Sequence, residues 1–230
     1  MNHMGQIVAC ERSGPQHQVI RLNAPSIATQ ARPGHEIAIA GRRLPIIRSA
    51  PPAGWIECLC LADESPSLAV GKRGHQVELT LIQTRSFATE TDASSALLIG
   101  EDMGLAAILF LGLTLATQRP IVLLGSHRHT FPFRPHPSRL LLPHLPGHVI
   151  ATMPLLEEQK IGCRLACHDA PGCFDGYVVA LAETWLTHCN QREREEVKVY
   201  ACSESSDTAA AITALAKRFG MAHQSIALDR

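Results

Sequence analysis

A glycine turn between a predicted strand and a predicted helix is the segment best suited to bind a phosphate. The apolar strand Ala96–Ile99 runs into Gly100, and Gly104 lies at the start of an apolar helix predicted over Met103–Thr117. In such a turn, backbone N–H groups and the positive end of the helix dipole point toward an anion. The same spacing is typical of a closely packed strand-to-helix turn without a ligand, and the residues alone leave both interpretations open.

Two carboxylates, Glu101 and Asp102, stand inside this turn. A like-charge pair about 4 Å apart costs roughly 1 kcal/mol in water and several times more in a low-dielectric cleft. Both residues would therefore weaken the binding of a pyrophosphate. Asp102 also has a structural interpretation, which we favour, as the N-cap of the following helix, because aspartate is a preferred capping residue.

Cysteines and histidines offer a second kind of chemistry. The spacing of Cys163, Cys167, His168 and Cys173 matches no familiar zinc or iron–sulfur pattern. On a strand, the two cysteines at positions 163 and 167 would face the same side, as core residues do. We therefore predict buried thiols here and no metal site.

Two further histidines, His127 and His129, alternate just beyond the predicted strand Pro120–Leu124. Ligands of open α/β sheets gather at the carboxyl ends of the strands, so these side chains could line a cleft. Isolated surface histidines are the alternative. The sequence shows no Ser-His-Asp signature and no acid/base pair of carboxylates that would mark a hydrolase.

The composition of the 230 residues excludes several classes of function. Lys and Arg together number 21, as do Asp and Glu, so the net charge is zero and no basic excess is available for nucleic acid or an anionic membrane. The apolar run Met103–Ala116 is shorter than the roughly 20 residues of a membrane-spanning helix. The N-terminus has no apolar signal segment, so we expect a cytoplasmic protein with reduced thiols.

The pattern of elements changes near Thr89–Ser95, a polar linker. Before it, short alternating runs between Gly and Pro turns predict an antiparallel barrel or sandwich. These strands are Gln6–Cys10, Gln18–Leu22, Glu36–Ile39, Trp55–Leu61 and Gln76–Leu81. After it, strands alternate with helices, which predicts a parallel sheet with helices on both faces. The later strands are Ala96–Ile99, Pro120–Leu124, His148–Met153, Lys160–Cys167, Val197–Cys202 and Ser225–Leu228, and the helices are Met103–Thr117, Gly176–His188 and Ser206–Phe219. We place a barrel domain at residues 5–92 and an α/β domain at 93–230.

One segment, Thr130–Gly147, contains five prolines. Because proline resists regular structure, we predict an irregular surface excursion with at most one short helix around Ser138–Leu142. A lid or a partner-binding surface is the functional alternative.

The order of these motifs resembles the ferredoxin reductase family of flavin- and pyridine-nucleotide-binding modules, and within it the electron-transfer subunits of NAD-linked dihydroorotate dehydrogenases. The matching stretches cover most of the chain and are ARPGHEIAIAGRRLPII, LAVGKRGHQVEL, LLIGEDMGLAAILFLGLTL, GCFDGYVVAL and VYACSESSDTAAAITALAKRFGM. The resemblance implies a ferredoxin reductase-like fold, in which an N-terminal antiparallel β-barrel precedes a Rossmann-like parallel-sheet domain.

The resemblance also implies two cofactor sites. FAD would be held by Arg43 and Ser67, and Cys202 would lie near the flavin and nicotinamide rings. NAD or NADP would meet the turn at Gly100, Met103, Gly104 and Leu105. This chain departs from the family pattern in three places. In the flavin motif, Pro45 and Ile46 stand where the family has an aromatic residue and a serine. Asp102 replaces the central glycine of the turn, and Ser203-Glu204 replaces the Gly-Pro that follows the cysteine. No iron–sulfur cluster is expected, because the chain stops at Arg230, before the cysteine cluster of those subunits.

Two functional hypotheses follow. The first is a flavin-dependent oxidoreductase or electron-transfer subunit that passes electrons from NAD(P)H through FAD to a protein redox partner. The second is a binding or regulatory protein that retains the fold and has lost one or both cofactors. A homodimer is expected only on general frequency.

Overall fold

This computed structural model describes residues 2–63, 73–89 and 94–228. Its N-terminal part is a closed antiparallel barrel. Around the barrel, the strands follow the order β1-β2-β5-β4-β3-β6. Their bounds are β1 (Asn2–Ser13), β2 (His17–Asn23), β3 (Glu36–Ile39), β4 (Arg42–Ala50), β5 (Trp55–Leu61) and β6 (Gln76–Ile82). Of the two architectures that the sequence predicts for this part of the chain, a barrel or a sandwich, the structure shows the barrel.

Strand β4 was not predicted from the residue pattern, because Pro45 interrupts it. In the structure Pro45 is paired with Glu36 of β3. Leu44 and Ile46 are fully buried in the barrel core. Ile47 belongs instead to a core that includes residues of the barrel and of the parallel sheet. A register shift against β5 separates Ile46 from Arg48.

After residue 94 the chain forms the predicted parallel sheet. Its order is β11-β8-β7-β12-β13, and the paired strands run parallel. The strands of this sheet are β7 (Ser95–Glu101), β8 (Ile121–Gly125), β11 (Gly162–Ala166), β12 (Val197–Ser203) and β13 (His223–Ala227). Two short strands, β9 (His136–Pro137) and β10 (Ala151–Thr152), form a separate antiparallel pair. Residues 90–93 of the predicted linker lie outside the described residues.

Helices cover this sheet and one end of the barrel. Their bounds are α1 (Pro25–Gln30), α2 (Leu105–Thr114), α3 (Pro154–Glu158), α4 (Val178–His188), α5 (Gln191–Glu195) and α6 (Ser206–Arg218). The short helices α1, α3 and α5 were not predicted, since so few residues show no apolar period. Among the described residues, none of the helices has the length and apolar character needed to span a bilayer.

Helix α2 lies between the barrel and the sheet, which explains why its sequence is apolar on every face. Every residue from Leu105 to Gly112 is buried. Leu105 and Leu109 belong to the core that includes sheet residues, whereas Phe110 belongs to the barrel core. The helix contacts both β4 and β7.

The proline-rich segment is irregular, as predicted, but the short helix suggested around Ser138–Leu142 does not form. The predicted strand His148–Met153 is reduced to β10, which pairs only with β9. Proline provides no N–H for a longer ladder here. Arg164, 5% exposed, holds the segment by donating to the carbonyl oxygens of Leu140 at 2.7 Å and Val149 at 2.8 Å.

Candidate functional site

The glycine turn is shaped by close packing against β12. A Cβ on Gly104 would lie 2.3 Å from the carbonyl oxygen of Cys202, and one on Gly100 would lie 2.9 Å from the Cα of Leu105. Real Cβ atoms essentially never come so close to backbone. Both glycines are therefore required by the fold of the turn, whether or not it binds a phosphate.

Asp102 does not cap helix α2, so that prediction is wrong. The N-cap position is Gly104, and it makes no side-chain cap hydrogen bond. The Asp102 carboxylate instead accepts from the backbone N–H of His127 at 2.9 Å, Arg128 at 3.1 Å and His129 at 3.3 Å. Asp102 has a φ of 49°, in the left-handed region, which aspartate tolerates better than most residues. Its role is to anchor the segment that follows β8.

Glu101 and Glu204 add two further carboxylates to the turn. Glu101 is 2% exposed and accepts from the hydroxyl of Ser203 at 2.9 Å. Glu204 accepts from the N–H of Met103 at 3.5 Å, and its carboxylate lies 3.3 Å from Nε2 of His129. An amide that the resemblance assigns to a phosphate thus faces a carboxylate of the protein itself.

His17, the first residue of β2, lies beside this cluster and is fully buried. Neither of its ring nitrogens has a hydrogen-bond partner among the described residues. Burial, followed by the nearby His129, lowers the pKa of His17 to about 4, although Asp102 acts in the opposite direction. The two imidazole rings meet edge to face, with centroids 6.0 Å apart. His17 is therefore neutral at neutral pH.

A cavity of about 610 Å³, the junction cavity, opens where the barrel meets the carboxyl ends of the sheet strands. It is lined by the turn between β1 and β2, by the segment after β8 and by the segment after β11. His127 and His129 are among its lining residues, which confirms that they face a cleft. The histidines and charged residues of the lining are His127, Arg128, His129, Arg134, His168 and Asp169. Two guanidinium groups and one carboxylate therefore lie in a wall that also contains Phe131 and Phe133.

The structure brings together only part of the predicted cofactor residues. Gly100 pairs in register with Cys202, and the latter side chain is fully buried. Met103 and Leu105 are also buried, with 0% and 1% exposure. Of the two residues predicted to hold FAD, Arg43 is exposed on β4 of the barrel, and Ser67 lies outside the described residues.

Sequence reasoning missed Glu204 as a turn residue and His17 as a buried one. Glu204 follows a predicted strand, where an acidic residue is unremarkable by type alone. His17 follows a turn and precedes a predicted strand, as an exposed residue commonly does. Only the proximity of the barrel hairpin to the end of β8 brings His17 to His129.

Among the comparisons with known proteins, the one with solved structures identifies the fold. No protein-family model and no curated protein matches the sequence. Solved structures do match. An NADH-dependent reduced ferredoxin–NADP oxidoreductase is 18% identical, with a TM-score of 0.68 over 98% of this chain and 78% of that chain. A cytochrome P450 reductase of Amycolatopsis is 13% identical, with a TM-score of 0.71 over 99% of this chain and 69% of that chain.

A third match is the ferredoxin–NADP+ reductase of Plasmodium falciparum with 2'P-AMP. It is 11% identical, with a TM-score of 0.67 over 98% of this chain and 96% of that chain. This chain therefore has the ferredoxin reductase-like fold. At such identities the likeness establishes the fold alone, and the narrower resemblance to dihydroorotate dehydrogenase subunits stays a prediction.

Proposed function

We propose that this chain is a ligand-binding protein built on the ferredoxin reductase-like fold, and that its junction cavity binds an organic anion with an apolar or aromatic part. The observation that carries the proposal is the occupation of the glycine turn by the protein's own carboxylates. Glu204 accepts from the Met103 N–H, and Asp102 is committed to the backbone amides of residues 127–129. A dinucleotide pyrophosphate at the turn would meet these charges and the buried Glu101.

The charged groups at the glycine turn are carboxylates, which repel an anion, whereas the junction cavity contains guanidinium groups, which attract one. At the turn, each carboxylate about 4 Å from a phosphate charge would cost about 4 kcal/mol at an effective dielectric constant near 20. At the junction cavity, Arg128 and Arg134 can hold a carboxylate, since guanidinium groups recognise planar anions in a bidentate way. Phe131 and Phe133 stack with ring centroids 5.1 Å apart and offer an apolar wall.

Thermal unfolding with matched ligands tests this proposal. Naphthoate is the probe, and naphthamide is its neutral counterpart of nearly the same shape. At tenfold excess over the dissociation constant, binding raises Tm by about 3–6 °C for a chain of this size. We expect this shift with naphthoate, not with naphthamide. R128A and R134A should reduce it, whereas R139A, an exposed arginine outside the cavity lining, should not. Equal shifts with both ligands would refute recognition of the charge.

The second candidate is the flavin-dependent oxidoreductase, in which NAD(P)H reduces FAD and a protein redox partner takes the electrons. What favours it is the pairing of the barrel and the parallel sheet, which this chain shares with solved reductases. Arg43 and Ser67 would hold FAD, which would supply hydride and electron transfer when bound. Pro45 and Ile46 are buried, and Ile46 belongs to the barrel core, so neither would stack on or hydrogen-bond the flavin ring.

An absorption spectrum distinguishes the two candidates. The purified protein is measured before and after incubation with FAD and gel filtration. The ligand-binding proposal expects no bands of protein-bound flavin and no Tm shift with NADH or NADPH. Bound flavin that is bleached by either nucleotide would favour the oxidoreductase and overturn our first choice.

A further inference from the structure

A group of metal-ligating side chains lies outside the junction cavity and is not used by the proposed function. His144, Cys189 and Glu193 each offer one ligand atom, and these atoms all lie within 4.8 Å of one another. His144 comes from the proline-rich segment, Cys189 is the C-cap of α4, and Glu193 lies in the first turn of α5. The chain thus brings nitrogen, sulfur and oxygen donors together from separate segments.

The side chains of His144 and Glu193 are held in place by their surroundings. His144 has a φ of 69°, which is uncommon for a non-glycine residue, and its ring meets Trp185 edge to face at 6.2 Å. Glu193 forms a capping box: one carboxylate oxygen accepts from the Asn190 N–H at 2.8 Å, and the other lies 3.2 Å from Nε2 of His144. The positions of the donors are therefore largely fixed before any ion binds.

The accessibility of the group suits an ion with one open coordination position. Cys189 is 3% exposed, whereas the side chains of His144 and Glu193 are 24% and 42% exposed. The sulfur is thus on the buried side, and the opposite side faces solvent, from which a water molecule can complete the coordination.

We propose that His144, Cys189 and Glu193 form a binding site for a divalent transition metal, with zinc the preferred ion and water as the fourth ligand. Thiolate and imidazole ligands select zinc over calcium and magnesium, which prefer oxygen. The bound ion would tie the proline-rich segment to the corner between α4 and α5.

Ion binding at this site must release a proton. An unliganded cysteine thiol, with an ordinary pKa of about 8.5, carries its proton at neutral pH. When the zinc–sulfur bond forms, the S–H bond breaks and the proton passes to the buffer; no electron is transferred. The proton count is therefore a signature of thiolate ligation that a merely surface-bound ion does not give.

Cobalt substitution tests the ligand set directly. The reduced protein is titrated with Co²⁺, and sulfur-to-cobalt charge transfer in the near ultraviolet reports a cobalt–thiolate bond. We expect one equivalent per chain, with displacement by Zn²⁺. C189S should abolish the charge-transfer band, and H144A and E193Q should weaken Co²⁺ affinity at least tenfold. The controls C10S and H188A change an exposed cysteine and an exposed histidine and should leave the titration unchanged.

Two further measurements keep the proposal falsifiable if C189S folds poorly. Calorimetry of Zn²⁺ binding in buffers of different ionisation enthalpy should give release of about one proton per ion. Zinc at 100-fold excess over the wild-type dissociation constant should raise Tm of the wild type by about 5–10 °C, and that of H144A by no more than about half as much. A titration without a sulfur band, or one whose band survives in C189S or is unaffected in H144A, overturns the assignment.

Discussion

The buried His17 makes a prediction about stability in mild acid. Its pKa is about 4 in the folded protein and about 6.5 when exposed, because burial and His129 disfavour the imidazolium. The unfolded chain therefore binds more protons between these values, and stability falls as the pH is lowered through this window. Linkage gives a loss of about 2 kcal/mol between pH 7 and pH 5, and about 3 kcal/mol once both states are protonated.

The assay is urea unfolding of the wild type and of H17F at both pH values. For an m-value of about 2 kcal/mol/M, the wild-type midpoint should fall by about 1 M more than that of H17F. Contributions of other groups cancel in this difference, whatever the absolute stability of the variant. H148A, which changes an exposed histidine, should behave as the wild type. If the wild type and H17F lose the same stability on acidification, the account of His17 as a buried neutral base is refuted.

Three further predictions concern stability. D102A should lower the free energy of unfolding by about 2–3 kcal/mol, because it removes the charged acceptor of the backbone amides of residues 127–129. Hydrogen exchange should become faster at those amides. The control D175A removes a carboxylate whose side chain is 86% exposed and should change the free energy of unfolding by less than about 0.5 kcal/mol. Burial alone would raise the pKa of Glu57, but hydrogen bonds from the guanidiniums of Arg48 and Arg21 outweigh it and lower the pKa. This stabilisation is present at neutral pH and is lost as the pH falls below the usual carboxyl range, so E57Q should cost about 2 kcal/mol in urea unfolding at pH 7 and less at pH 3. G104A should cost about 3 kcal/mol or prevent folding, as judged by circular dichroism, whereas G147A, whose Cβ would meet nothing within 4 Å, should be nearly neutral.

Much of the fold could be predicted from the sequence, because several strands have clear boundaries in the residue pattern. Glu36–Ile39 and Trp55–Leu61 were predicted with the bounds that the structure shows, since alternating or buried apolar residues are flanked there by turn residues. Strand β4 escaped the same reasoning because Pro45 is normally excluded from a central strand. Its position could be inferred only from the family resemblance.

The candidate site was predictable only in part, for a physical reason. His127 and His129 could be placed at the carboxyl edge of the sheet, because that edge follows from strand direction. The role of Asp102 could not be foreseen, since its partners are backbone amides 25 to 27 residues away, and amides carry no signal in the sequence. An aspartate is equally suited to cap a helix and to anchor a distant loop, so the residue type of Asp102 does not distinguish the two roles.

The burial of α2 in two cores has a consequence for how the chain unfolds. Phe110 is part of the barrel core, while Leu105 and Leu109 belong to the core that includes the sheet. Cutting the chain between barrel and sheet would expose one apolar side of this helix in the C-terminal fragment and leave the barrel without Phe110. We therefore expect the two halves to unfold as one cooperative unit in a single transition, and we expect neither half to fold as a separate fragment.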